Sequence, residues 1–439
     1  VPNWQKILLI SLSWLAYVAI GYFITRDQFD LLFSTYAFTF GLFLLLFAKA
    51  QTFSFRQIIL LAVLFRAALW MTFPQLSDDI FRFVWDGRLI LEGVNPYLIM
   101  PMESLQNEAV MNAGLDGDIF KLLNSKQYYT IYPPVNQFFF AASSWLGNGS
   151  IFGEVIAMRV LLMMADIGAL VLGAQILRQL GRSTTWLLGY ALNPLVIIEI
   201  TANLHFEGVV IFFLVLAIWL WLRGNKWMSA LVFGLAISTK LLPLIFLPLL
   251  IRPMGWKNVM AYGSIAGLSV VLTFLPFLSV DLLANIWSSI DLYFQSFEFN
   301  ASVYYLLREV GDWITGYNLV RYLGPGLSLI VLVFAIWLAA KKEIALGGLF
   351  GKALLLISAY FLLSTTVHPW YMITVLAVGM MAQKTWVIPW TFLCFISYSH
   401  YDGGGFEENY LLIAIEYALL GISIWMIEKR GAPLLKRFT

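Results

Sequence analysis

Charge is scarce in this chain. Of its 439 residues only 12% are Asp, Glu, Lys or Arg, while 61% are hydrophobic. Soluble domains carry about 25% charged residues and about 45–50% apolar ones. A soluble protein of this size could not hide so much apolar surface in one core, so the bilayer must be the solvent for most of it. Cysteine is nearly absent. Cys394 stands alone in an apolar run, which excludes an intrachain disulfide and makes it a small packed hydrophobe. The three histidines, His205, His368 and His400, are too far apart for a local zinc motif. A net charge of +2 is too small to argue for nucleic acid or another polyanion. The chain also lacks tandem repeats, low-complexity tracts, interdomain linkers and any βαβ-like or glycine-rich nucleotide-binding stretch. One domain covering residues 1–439 is expected.

Long apolar runs are what the chain has in quantity. A span needs about 20 such residues. Candidates lie at 7–24, 31–48, 57–73, 155–177, 184–199, 206–222, 258–276, 318–340, 349–366, 386–399 and 410–427. Shorter or broken runs lie at 134–147, 227–251 and 370–383. The chain therefore reads as an all-α polytopic membrane bundle with about 11 to 14 membrane segments. Trp4 to Tyr22 has no small-residue cleavage site and is long for a signal peptide, so it is expected to remain as a span. Two polar stretches, 74–133 and 277–317, interrupt the apolar runs. Lys49 with Arg56, Arg252 with Lys257, Lys341 with Lys342, Lys384, and Lys429, Arg430, Lys436 and Arg437 mark turns that fall on one side. The positive-inside rule makes that side cytoplasmic and puts both long loops outside. Segment 134–147 either crosses or dips in, and 227–251 is one kinked helix or two halves. Arg178, Arg182, Arg223 and Lys226 favour an outside turn at 200–206.

The little charge there is concentrates at one place. Asp78, Asp79, Arg82, Asp86 and Arg88 fall within Ser77 to Arg88, directly after an apolar segment. Charge this dense at the rim of a span is costly unless it faces water and is used. The spacings of three and four predict a helix with several of these groups on one face, and Gly93 and Pro96 end it. Solvated Asp–Arg pairs on a juxtamembrane helix are the alternative. Lys240 is the other costly charge, flanked by Leu, Ile and Pro. It either snorkels, pairs with an intramembrane acid, or meets an anion such as a phosphate. Arg159 and Asp166, seven residues apart in one apolar run, read as a structural ion pair. Glu199 reads as a structural partner of Asn203, and His400 as a packing residue.

The order of these features resembles the GT-C glycosyltransferases, specifically the bacterial polytopic hexosyltransferases that include polyprenyl-phosphate-mannose-dependent mannosyltransferases. The motifs run over most of the chain: Asp79, Arg82, Phe83, Trp85, Asp86, Gly87 and Arg88; then Gly93, Asn95, Pro96 and Tyr97; then Thr130-Ile131-Tyr132-Pro133-Pro134-Val135. Asn193-Pro194-Leu195, Asn203-Leu204-His205-Phe206-Glu207, Lys240 with Pro243, and His368-Pro369-Trp370-Tyr371 follow. Phe83 stands where tyrosine is more usual. Phe299-Asn300-Ala301-Ser302-Val303-Tyr304 is similar to a run in the lumenal mannosyltransferases that build the GPI anchor. Tyr304 and Tyr305 suit a membrane interface at least as well.

The resemblance implies a GT-C bundle in a bacterial plasma membrane, with short juxtamembrane helices in the first outer loop and an active site on the periplasmic face. It implies transfer of a hexose, expected to be mannose, from a polyprenyl phosphate to an extracytoplasmic glycan or lipid, with inversion. Asp79 is expected as the general base, with Asp78 as the alternative. Arg82, Asp86, Arg88, Asn95, Tyr97, Tyr132, Asn203, His205, Glu207, Lys240, Asn300, His368 and Tyr371 are expected to bind substrate. No cofactor is expected, although the two aspartates offer hard oxygen ligands that would suit Mg²⁺ or Mn²⁺. A retaining route would need a second carboxylate about 5 Å away. Two rivals stay open: a ligase or polymerase using a polyprenyl diphosphate, for which Arg308 and Arg321 could serve, and a lipid or sugar transporter. A transporter would have broken helices in matching halves, and no such symmetry is visible.

Overall fold

The computed structural model describes residues 3–342 and 345–429, so Arg430, Lys436 and Arg437 lie outside the described residues. Every described element is helical, apart from one bridge that pairs Phe299 with Thr366. Among the described residues, seven helices are long and apolar enough to cross a membrane: Trp4–Phe23, Phe29–Ala48, Ile151–Gln179, Trp256–Phe277, Val320–Ala340, Leu346–Leu363 and Tyr410–Lys429. Thr184–Ala191 and Pro194–Ala202 add one more if the pair, bent by 60°, is a single broken span. Four shorter apolar helices accompany them: Glu207–Leu222, Lys226–Ile237, Leu242–Met254 and Pro369–Met381. The protein is thus an all-α, multi-pass membrane protein, with fewer full-length helices than the apolar runs alone implied.

Local sequence explains where the apolar runs break. The 57–73 run forms a helix only over Phe55–Ala67, opened by a capping box in which Ser54 and Gln57 satisfy each other's backbone N–H groups. The 227–251 run is two pieces. The Lys226–Ile237 helix stops before Lys240, and Leu242–Leu250, with prolines at 243 and 248, winds as a tighter 3₁₀ helix. The bent pair ends in a π-helical turn at Ile198–Ala202, and a left-handed Leu204, φ +65°, leads from it toward Glu207–Leu222. Leucine pays for that conformation, and the turn carries His205 and Glu207.

The first long loop folds into five short helices: Asp79–Leu91, Pro96–Leu98, Pro101–Ser104, Glu108–Asn112 and Gly117–Leu122. The first lies against the Pro134–Gly147 helix, and the approach depends on Gly87. A Cβ there would sit 2.5 Å from the Phe140 carbonyl oxygen, closer than atoms pack. Buried ion pairs then fix the frame. Arg66 donates to Asp166 at 2.6–2.7 Å and to the carbonyls of Ala62 and Ala191, and the Tyr190 hydroxyl donates to Asp166. This corrects the expected Arg159–Asp166 pair. Seven helical residues rise about 10.5 Å, too far for contact. Arg159 instead donates to the carbonyls of Trp70, Thr72 and Thr201, at 2.6–2.7 Å.

The ends of the long helices separate two faces. Gly347, near the start of Leu346–Leu363, meets the Arg182 guanidinium, which donates to the Met381 carbonyl. Arg252 donates to the Ala340 carbonyl, Lys384 pairs with Glu428, and Lys352 donates to the Lys341 carbonyl. At the far end of the same helix Phe361 and Leu363 line a large cavity, about 21–24 Å from Gly347 at the helical rise of about 1.5 Å per residue.

Candidate functional site

The cavity has a volume of about 980 Å³, at the upper end of the usual range for ligand sites. It draws its walls from the first loop, the 203–207 turn, the 237–242 break, the 297–299 segment, the 364–371 turn and the 398–406 loop. Of the expected site residues, Asp78, Asp79, Arg82, Tyr97, Tyr132, His205, Glu207, Lys240, His368 and Tyr371 face it.

Asp79 is the first residue of its helix, at the lip of the cavity. Its Oδ1 accepts from the Asn124 amide at 2.8 Å. Burial raises its carboxyl above the ordinary range, and the neighbouring Asp78 adds to this. Hydrogen bonds from Asn124 and Tyr132, and the positive charge of Lys240, pull it back down. Asp78 turns elsewhere. Its Oδ2 pairs with Arg26 at 2.6 Å, with both side chains partly exposed.

Deeper in, the Lys240 ammonium donates to Glu207 Oε1 and lies 4.0 Å from the centroid of the Tyr371 ring. Of the three alternatives for this lysine, the pairing with an acid is the one present, and the side chain also faces the cavity. Beside it three rings stack. Trp370 lies between His205, with centroids 3.8 Å apart, and His368, 4.4 Å apart. Burial and the nearby Lys240 charge push the His368 imidazole down to about 3, and hold His205 well below its ordinary value. Both rings are neutral near pH 7. His368 Nδ1 is buried without a hydrogen-bond partner, and His205 Nε2 lies 3.4 Å from Glu199 Oε2, so it is His368 that keeps unused polar capacity beside the cavity.

Beyond Lys240 the lining turns apolar. Leu241, Leu242, Val270, Phe274, Leu327, Val331 and Phe361 form this part, with Leu241 57% exposed at its rim.

Five expected site residues do not face the cavity, and each has a structural partner. Asp86 is fully buried and accepts from Arg82 at 2.8 Å and from Gln137 at 2.9 Å. Arg88 pairs with Glu154 at 2.8 Å and donates to the carbonyls of Gly114 and Gly149. Asn95 caps the Pro96–Leu98 turn and donates to the Phe277 carbonyl at 2.7 Å. Asn203 donates to Glu199 at 3.0 Å, as expected, and accepts from the Leu76 N–H, which steadies the turn ahead of Asp78. Asn300, left-handed at φ +49°, is buried and donates to Glu416. Tyr304 and Tyr305 are buried too, donating to Glu298 and Glu408, so neither is an interface anchor. Arg82 faces the cavity and commits Nε to Asp86 and Nη1 to the carbonyls of Ser125 and Tyr128, while its buried Nη2 has no hydrogen-bond partner. His400 packs as expected, accepting from the Asn409 N–H.

Sequence reasoning missed Arg26, Asn124, Tyr128, Glu298, Trp370 and Tyr401, all of which line the cavity. Two carried a signal. Arg26 sits in the turn between the first two apolar runs, on the same face as the first loop. Trp370 lies inside the His368–Tyr371 motif. Asn124 stands in an ordinary polar loop and gave none. Among the described residues no three His, Cys, Asp or Glu side chains gather as metal ligands would.

Residues 12–254 match the model of the MptA_B family, described as alpha-(1->6)-mannopyranosyltransferase, N-terminal domain. That is more than half of the chain. The chain belongs to this family. The matched stretch holds Asp78, Asp79, Tyr132, His205, Glu207 and Lys240, whereas His368 and Tyr371 lie beyond it. Alpha-(1->6)-mannopyranosyltransferase B of Corynebacterium glutamicum is 26% identical over 163 residues. That match takes in 36% of this chain and 26% of the relative, so it spans about a quarter of the curated protein's length. The resemblance to GT-C mannosyltransferases drawn from the motifs accords with this family membership.

Proposed function

We propose that this protein is an inverting mannosyltransferase that moves mannose from a polyprenyl phosphate to a glycan or glycolipid acceptor. The observation that carries this reading is one cavity that holds Asp79, Lys240 and an apolar continuation together. Asp79 takes the proton of the acceptor hydroxyl as its oxygen attacks the anomeric carbon. The bond from that carbon to the phosphate breaks, and the polyprenyl phosphate leaves with the electron pair. A buried carboxylate with a raised pKa is a stronger base than a solvated one. Lys240, His205 and His368 supply donors for the departing phosphate. The apolar stretch from Leu241 to Val331 suits the first isoprene units.

A single base with inversion is favoured over double displacement, because Asp78, the nearest other carboxylate in sequence, turns to Arg26. Asp78 and Asp79 turn apart, to Arg26 and to Asn124, and the proposal invokes no metal. The diphosphate alternative has little support. Arg308 is held by Glu298 and Glu309, and neither Arg308 nor Arg321 faces the cavity. The site face is assigned to the periplasm of a bacterial plasma membrane, since Arg182, Arg252 and Lys384 gather at the other end.

Asp79→Asn is the test. It should fold but lose transfer from synthetic polyprenyl-phosphate mannose by about 100- to 10,000-fold. Unchanged turnover would remove Asp79 from the chemistry, and lipid translocation without glycosidic product would replace the enzyme with a transporter.

A further inference from the structure

The donor reading above uses only one side of the cavity. Across Phe299, whose ring stands 4.5 Å from that of His368, lie aromatic rings and carboxylates that it leaves without a task. Phe406 follows Gly403, Gly404 and Gly405 and is 57% exposed, yet it lines the cavity. It stands 5.4 Å from Tyr401 and stacks on Phe299 at 6.1 Å and 20°. Phe297, 38% exposed, meets Tyr128 edge-on at 6.3 Å. The 297–299 segment is held in place by two backbone hydrogen bonds, from the Phe299 N–H to Thr365 and from the Val367 N–H to Phe299. Asp78 and Glu298 line the same region.

Rings of this kind offer flat faces of negative quadrupole, which attract polarised C–H groups. Carboxylates beside them accept hydroxyl protons. A pyranose ring presents both: C–H groups on one face and hydroxyls around its edge. The charge balance narrows the ligand further. Asp78 is neutralised by Arg26, and Glu298 by Arg308. Arg82, beside Tyr128, is paired with Asp86, so among the described residues each arginine bordering this region has an acid partner, whereas Lys240 lies on the donor side. Asp79 adjoins this region, since its neighbour Asp78 pairs with Arg26, whose guanidinium lies 4.9 Å from the centroid of the Tyr401 ring.

We propose that the region bounded by Tyr128, Phe297, Tyr401 and Phe406 is the acceptor subsite, and that it takes an uncharged hexose chain. This rests on the mannosyltransferase reading and adds to it the place and the charge of the acceptor. Phe406 and Phe297 are specificity-determining residues in this account, and neither touches the donor.

The experiment uses the full chain in detergent, polyprenyl-phosphate mannose as donor and α-1,6-mannobiose as acceptor. Phe406→Ala and Phe297→Ala should each raise the mannobiose KM by about tenfold, the scale of one lost aromatic contact. The donor KM should not move, nor should release of mannose to water when acceptor is absent. Calorimetric titration with mannobiose alone should show the same weakening. The 6-phosphorylated derivative should bind wild-type protein about tenfold more weakly than mannobiose, for want of a free cation. Unchanged mannobiose KM and binding in both variants would overturn the proposal. So would an equal rise in donor KM, or equal affinity for the phosphorylated sugar. If wild-type protein turned over no donor at all, the donor reading would fall, while the calorimetry would still decide the subsite.

Discussion

The Asp78 carboxylate turns to Arg26 and the Asp79 carboxylate to Asn124, so two adjacent acids meet different groups and do not share a proton. A base acts only when ionised. The rate should therefore rise with pH through the Asp79 pKa and fall away below it. Burial raises that pKa, which puts the acid limb of kcat/KM above the ordinary carboxylate value near 4. Asn124→Ala removes a hydrogen bond to the charged form, so the limb should move to higher pH. A limb at or below pH 4 in wild type, or one that ignores Asn124, would separate Asp79 from the base. His368, held down at about 3 by burial and Lys240, stays neutral through this window, so His368→Gln should leave the limb in place. Lys240→Gln should raise the donor KM by about ten- to a hundredfold, the worth of a charge-assisted bond to phosphate. Steady-state kinetics with the lipid donor would read this directly.

At the level of the helix, the motif from Asp79 to Arg88 divides its labour by position. Asp79, on the first turn, reaches the cavity. Asp86 and Arg88, two turns on, hold the Asp79–Leu91 helix to its neighbours through Arg82, Gln137 and Glu154. Gly87 lets that helix approach the Pro134–Gly147 helix. Gly87→Ala should therefore destabilise the protein by about 1–3 kcal/mol, the usual cost of overpacking. A thermal unfolding midpoint in detergent equal to that of wild type would contradict the packing. The presence and type of this helix were legible from spacing, as were its breakers at Gly93 and Pro96. Which of its charges face the cavity was not legible, because the partners come from distant parts of the chain. Glu154 is 66 residues from Arg88, and Glu416 is 116 residues from Asn300. The same holds for Arg66 and Asp166, 100 residues apart. A buried arginine inside an apolar run signals a partner but not its identity.

Across the whole molecule, the cavity is polar at its lip and apolar beyond Lys240. That polarity is the property a lipid-linked sugar donor requires, because its two parts prefer different solvents. The fold class and the residues that meet in the cavity were largely readable. The apolar runs gave a polytopic bundle, and the family motifs brought Asp79, His205, Lys240 and His368 to one place. The number of full-length helices was not readable, since an apolar run such as 57–73 ends in a turn that composition does not mark, whereas 227–251 was expected as one kinked helix or two halves and is two. A second, smaller apolar pocket of about 130 Å³ lies among Ile211, Trp221, Phe233, Tyr262 and Val378. It offers no polar group comparable to Asp79 or Lys240. The most direct measurement is therefore photo-crosslinking with a polyprenyl phosphate whose first isoprene unit carries a diazirine, read by mass spectrometry. Labels on Leu241, Val270, Leu327 or Val331, competed away by polyprenyl-phosphate mannose, are the predicted result. Labels confined to the smaller pocket, or indifferent to the competitor, would contradict the account.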